Sequence, residues 1–505
     1  MKKTRNNQDT DWIDGIRGLA AITVVNYHIA EAWFGAYKGP WSEAYDIPFL
    51  RLPISGPAAV AIFFIFTGYV NCLSFLTKLQ SGQRSAALSS LSRSALTRVG
   101  KFVLPVLLAT VLDWLLAEAH AFELSHYADS GWLRGISAMP TTSPSSSFRH
   151  VLTAVTSTWK SGWDEYDKTM WPMIWLLQAS LDAYLFLIAT AWCSTRGRRG
   201  VLVMLYIWAW CSNQSVKGIN VWFGVLMADI HTSYGSSVKS RLSLWLSFPA
   251  ILGGAVLCAF PDSSPDRAKW SHWAQDAIRW IMPSDGEDRR YIISIGACIV
   301  VLGVLFNKYA QGVLRSRVFT FLGRISLAIY LLHSAMLRSV LTWFVYLPSA
   351  FNKDEATWRW MEKINDNDEE LRFKRADWRW FLLGIPIFYA LLITAAWAWT
   401  RWVEPLCMRP VDWLATKAYV SEDMAMTAVA KSGVVVEVVE VEPYADEQGD
   451  EESMLAVPCT FAIDGDVEDE KDALLSGGRA RVRSVFRHYL LVAKDILRGS
   501  LFNKR

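Results

Sequence analysis

The chain of 505 residues has seven cysteines, none in C-x-x-C or metal-type spacing, and eight histidines, none grouped as ligands. No disulfide framework and no metal site are expected, and the cysteines read as packing residues in apolar runs. A Gly-rich phosphate loop, a Gly-x-Ser-x-Gly elbow and any nucleic-acid signature are missing, which removes the nucleotide-cradling, serine-hydrolase and nucleic-acid-partner classes. Charge is sparse at 20% of residues, and the net charge of +3 is a cancellation of unlike regions. No permanently bound cofactor is expected.

What the sequence does have is apolar length. Hydrophobic residues make up 52% of the chain, with 26 Trp, and mean hydropathy is positive. A spanning helix needs about 20 mostly apolar residues. Runs compatible with that lie near 15–36, 56–77, 102–118, 170–193, 200–214, 218–231, 242–260, 291–307, 319–346 and 380–403. The expected fold is therefore an all-α integral membrane protein of about ten transmembrane helices, with a cytoplasmic, mostly disordered C-terminal tail. The fifth, sixth and eighth runs are the shortest.

Lys and Arg in short loops set orientation. With Lys2, Lys3 and Arg5 inside, the inside connections carry Lys78, Arg84, Arg93, Arg98 and Lys101. Those that follow carry Arg196, Arg198, Arg199, Lys239, Arg241, Lys308, Arg315 and Arg317. The longer segments 119–169, 261–290 and 347–378 then fall outside, and both termini are cytoplasmic. A cleavable signal peptide is the alternative for the first run, but Asp9, Asp11 and Asp14 dilute its basic flank.

Three regions follow: a membrane domain over 1–420, an acidic segment over 421–478 and a basic amphipathic helix over 479–505. Residues 421–472 hold 16 acidic and 2 basic residues, too charged to bury a core. From Arg479 the apolar positions recur at helical spacing with basic residues off the stripe, suited to an anionic membrane surface or to packing on the protein itself. Membrane lipids are expected partners.

Ionisable groups within spans are functional candidates because their burial is costly. Arg17 and His28 are 11 residues apart, so they share a helix face about 16 Å apart along the axis. Burial without a partner keeps an imidazole neutral, the form a general base needs. Asp113, Asp182, Asp229 and His333 are further intramembrane candidates. For Asp229 the alternative is a solvated position at a helix end, and for His333 it is simple helix packing.

Asp14-Gly15-Ile16-Arg17-Gly18-Leu19-Ala20-Ala21 followed by Tyr27-His28 resembles the opening of the acyltransferase-3 family of integral membrane O-acyltransferases, marked by Arg, ten residues, His. The run Val60 to Thr67-Gly68-Tyr69, the entry Arg98-Val99-Gly100-Lys101 before Pro105, and Gly224 with Ala228-Asp229 are similar to later family patterns. So are Gly323-Arg324-Ile325-Ser326 running to Tyr330-Leu331-Leu332-His333, and Trp402-Val403-Glu404-Pro405. The spacing is closest in style to fungal members.

The resemblance implies transfer of an acyl group, acetyl by family default, from acyl-CoA to a hydroxyl of a small metabolite or glycan. His28 would be the base and Arg17 would hold a phosphate or the acyl group. Arg98 and Lys101 would hold the nucleotide phosphates; their alternative is positive-inside anchoring. Asp182 and His333 would line a cavity. Two positions depart from the pattern. Lys101 replaces an Arg, losing the planar fork, and Leu176 stands where relatives carry a carboxylate in the fourth span, with Asp182 a possible substitute. A polytopic transporter and a catalytically inactive scaffold or sensor are the rival readings.

Overall fold

All ten apolar runs fall on helices in the computed structural model, which describes residues 10–34, 47–241, 244–261, 265, 268–351, 373, 375 and 377–418. The acidic segment and the basic amphipathic helix lie outside the described residues. The main helices are α1 (Asp11–Ile29), α2 (Gly56–Gln80), α3 (Arg84–Glu118), α4 (Gly131–Ile136), α5 (Pro144–Ser161) and α6 (Pro172–Ala189). They continue as α7 (Thr195–Cys211), α8 (Gly218–Arg241), α9 (Leu244–Cys258), α10 (Asp288–Phe306), α11 (Arg317–Arg324), α12 (Ser326–Met336), α13 (Thr342–Phe351), α14 (Trp378–Ala398) and α15 (Glu404–Ala418). No β-strand longer than an isolated bridge occurs among the described residues.

Six of these helical stretches are long and apolar enough to cross a membrane, among the described residues. They are Gly56–Gln80, Arg84–Glu118, Lys168–Ala189, Asp288–Phe306, Ser326–Ser349 and Trp378–Lys417. The runs 15–36, 200–214, 218–231 and 242–260 form helices that fall short in length or in apolarity. The eighth run, one of the shortest in sequence, is among the six.

Boundaries also differ from the hydropathy reading. The third helix begins at Arg84, well before its apolar run, because Ser, Ala and Leu continue helical spacing there. The last run does not stop at Val403: a π-turn over Trp399–Val403 leads straight into α15. The ninth run is broken near Ile325, where Arg324 ends α11.

Glycines set the tightest crossings. A Cβ at Gly68 would lie 2.2 Å from the Val221 carbonyl oxygen, and one at Gly224 would lie 1.9 Å from that of Ile65. Only glycine lets α2 and α8 approach so closely, the small-residue packing expected between apolar helices. At the α1–α11 crossing, a Cβ at Gly323 would lie 1.9 Å from the Asp14 carbonyl oxygen. The sequence motifs around Gly18, Gly68, Gly224 and Gly323 are therefore also the seams of the bundle.

Candidate active site

Two cavities lie inside this bundle and share two lining residues, Val60 and Tyr330. The first, of about 110 Å³, takes Arg17 from α1, Thr67 and Asn71 from α2, Arg98 from α3 and Leu176 from α6. The second, of about 180 Å³, takes Tyr27 and His28 from α1, Gly56 and Pro57 from the start of α2, and Arg289, Arg290 and Ser294 from α10. Both α2 and α6 place proline in their first turn, where a missing N–H costs nothing. Arg17 and His28 thus occupy one side of α1 but open into different chambers.

In the first chamber the Arg17 guanidinium lies 3.6 Å from Asp14. Arg98 donates from Nε to the Ser180 hydroxyl at 3.3 Å, and its guanidinium sits 5.5 Å from the Phe102 ring centre. Both cations thus line one mostly apolar cavity. Lys101 is exposed and does not line this chamber. Leu176 lines the chamber and adds only apolar surface.

In the second chamber His28 stacks on two rings. Its centroid lies 5.2 Å from that of Trp132 at 26°, and 5.2 Å from that of His333 at 23°. Its Nδ1 is buried and has no hydrogen-bond partner among the described residues. Trp132 is carried by the short α4, whose start is fixed by the Ser130 side chain accepting from the Leu133 amide. Of the two, the Trp132 indole is the kind of ring whose face attracts a cation at this distance. A π-turn over Ala30–Phe34 begins two residues after His28, the kind of helix irregularity found at functional sites.

The sequence candidates thus separate. Arg17, Arg98 and His28 line adjoining chambers, and His333 comes directly against His28 rather than merely packing a helix seam. Asp182 lines a different cavity of about 360 Å³, where it is 42% exposed and meets Lys217 at 2.9 Å. Asp229 is not solvated: it is 1% exposed, pairing with Arg198 at 2.7 Å and Arg199 at 2.5 Å. Asp113 is likewise buried, 3.5 Å from the guanidinium of fully buried Arg338.

Trp132, Asp164, Asp167 and Arg338 carry weight that sequence reasoning missed. Asp164 and Asp167 lie in the segment before α6 and are both fully buried. Burial pushes the Asp164 carboxyl above its ordinary range, opposed by hydrogen bonds from Thr110, the Tyr166 amide and Thr158. In sequence these acidic residues are indistinguishable from a solvated loop; only their position directly before an apolar run hinted otherwise.

A family model described as an acyltransferase domain matches residues 10–397. The chain is 23% identical over 372 residues to O-acetyltransferase PaAT-1 of Phomopsis amygdali, covering 66% of this chain and 73% of that one. It is 22% identical over 488 residues to Acyltransferase R4 of Phoma sp., covering 83% and 98% respectively. It is 21% identical over 481 residues to Acyltransferase clz18 of Cochliobolus lunatus, covering 82% and 97%. No solved structure matches the chain. The family match spans both chambers and every helix that builds them, and with six apolar helices it makes this a multi-pass membrane protein: the chain belongs to the acyltransferase-3 family.

Proposed function

We propose that this membrane O-acyltransferase moves an acetyl group from acetyl-CoA to a hydroxyl of a small metabolite or glycan. The observation that carries the reading is the pair of chambers meeting at Val60 and Tyr330, one lined by Arg17 and Arg98 and the other by His28, whose Nδ1 has no hydrogen-bond partner among the described residues. The name O-acetyltransferase of the Phomopsis relative favours acetyl as the group transferred.

In this reading ten helices cross the membrane with both termini cytoplasmic, so the Arg17 chamber faces the cytoplasm. Arg17 and Arg98 hold phosphate and thioester oxygens of the donor, whose thiol arm reaches toward Tyr330. Lys101 attracts the nucleotide from outside the chamber. The acceptor enters beside His28. A thioester is already activated, so what the protein supplies is alignment and deprotonation. His28 takes the hydroxyl proton as the oxygen attacks the thioester carbonyl carbon. The C–S bond then breaks, and the thiolate leaves as free thiol with the proton returned from His28.

Leu176 in place of a carboxylate favours a second reading, a catalytically inactive relative. Untargeted mass spectrometry of metabolites and glycans from cells with and without the protein separates the two. The catalytic reading expects an acyl mass increment that disappears with the protein; unchanged profiles support the inactive relative.

A further inference from the structure

A buried hydroxyl in an apolar helix normally returns its hydrogen to the carbonyl one turn back. Thr67 does so to Phe63 at 2.8 Å and Ser180 to Leu176 at 2.9 Å. Ser326 is 1% exposed and lines the first chamber, yet its hydroxyl has no hydrogen-bond partner among the described residues. The helix break explains this: α11 ends at Arg324 and α12 begins at Ser326, so no regular turn precedes the side chain. Nor does a side chain cap the start of α12, whose positive dipole end favours an anion there.

The same helix measures the distance to the base. Ser326, Tyr330 and His333 recur at helical spacing on α12 and share one face. His333 stacks on His28 with ring centroids 5.2 Å apart, Tyr330 lines both chambers, and Ser326 lines the first. Seven residues place Ser326 about 10 Å along the axis from His333. A base nitrogen, the acceptor oxygen, the carbonyl carbon it attacks, the carbonyl oxygen and a donor to that oxygen, each at its usual spacing, also reach about 10 Å end to end.

Other donors near the junction are spent or too distant. The Tyr330 hydroxyl donates to the Thr169 carbonyl at 2.8 Å. Nδ1 of His333 lies 2.6 Å from the Tyr330 carbonyl oxygen, so it carries the hydrogen and Nε2 of the neutral ring is bare. Arg17 is 11 residues from His28 on α1, about 16 Å along the axis. Asn71, whose Nδ2 also lacks a partner among the described residues, stands equally far from Val60 on α2.

We propose that the Ser326 hydroxyl donates to the thioester carbonyl oxygen of the donor and stabilises the oxyanion that forms on it. This rests on the acyl-transfer reading above. As the acceptor oxygen bonds to the carbonyl carbon and its proton passes to His28, the carbonyl π pair moves onto the oxygen, where Ser326 donates without giving up its proton. The pair then returns, the C–S bond breaks and the thiolate takes the proton from His28.

The test uses the full chain purified in detergent and acetyl-CoA labelled with carbon-13 at the acetyl carbonyl, whose infrared band is read by isotope difference. Ser326→Ala moves the band of the bound donor to higher frequency, as a carbonyl that loses a hydrogen bond does. Ser326→Cys, a weaker donor, moves it part of the way. Ser334→Ala, which removes an equally partnerless buried hydroxyl of α12 that lines neither chamber, leaves it in place. Transfer of label to a metabolite extract falls about 100- to 1,000-fold in Ser326→Ala, the usual cost of one oxyanion donor. Donor that binds with its band unmoved in both Ser326 variants overturns the proposal alone. A wild-type protein that binds no acetyl-CoA overturns the acyl-transfer reading and this proposal with it.

Discussion

The two buried charge clusters of this protein are built differently. At Asp229 each carboxylate oxygen meets a guanidinium, with Arg198 bound through two nitrogens and Arg199 through one. Around Arg338 three carboxylates gather, and both oxygens of Asp113 and Oδ2 of Asp167 have no hydrogen-bond partner among the described residues. A closed pair holds helices together; an open one keeps charge in reserve. The closed pair joins α7 to α8 and lines neither chamber, whereas the open cluster ties α3 to the turn after α12 that carries Arg338. The difference marks Asp229 as a clamp between two helices.

The largest expected effect separates the two at once. His28→Ala lowers acyl transfer by about 100- to 10,000-fold, the usual worth of a general base, with expression and thermal unfolding unchanged; Asp229→Asn does the reverse. Breaking a buried pair by neutralising one partner costs about 3–5 kcal/mol, so Asp229→Asn should unfold at markedly lower temperature while its remaining folded fraction keeps the wild-type acyl-CoA requirement. An unchanged melting temperature would remove the structural assignment.

Next in size is the first chamber. Arg98→Gln should raise the acyl-CoA concentration for half-maximal rate about tenfold, the loss of one charge-assisted contact of about 1.5–3 kcal/mol, without changing the acceptor requirement. Lys101→Gln, exposed and outside the chamber, should change it far less; equal effects would place both in the donor site. Smaller still is Asp182→Asn. Its pair with Lys217 is partly exposed, and such pairs contribute about 0.2–1 kcal/mol, so thermal unfolding should barely move.

The smallest effect is a pH dependence. Because the folded Asp164 carboxyl is raised by burial, its stabilisation is fully present below the ordinary carboxylate range and is lost as pH rises through the raised value. Asp164→Asn removes that decline. Melting temperatures at acidic and neutral pH should therefore converge for this variant relative to the wild type.

Much of the bundle was legible in the sequence because apolar length is a one-dimensional signal. All ten runs became helices, and the Arg17–His28 spacing alone placed both residues on one side of α1. What could not be read was how distant segments meet. His333 lies 305 positions from His28, and only the fold stacks the two rings. Asp164 reads as a loop acid because the groups that bury it, Thr110 of α3 and Thr158 of α5, come from other helices. Asp229 reads as solvated because its partners, Arg198 and Arg199, sit on another helix. Leu176 was singled out in sequence, and the fold places it on the wall of the first chamber.

The most direct test is acyl transfer itself. Membranes from cells expressing the chain, and matched membranes carrying His28→Ala, are given acetyl-CoA labelled in the acetyl group together with a metabolite extract of those cells. Movement of label from CoA into an extractable ester in the wild-type membranes, and its loss in the variant, is the result expected. Label that remains on CoA in both, or moves equally in both, would contradict the account.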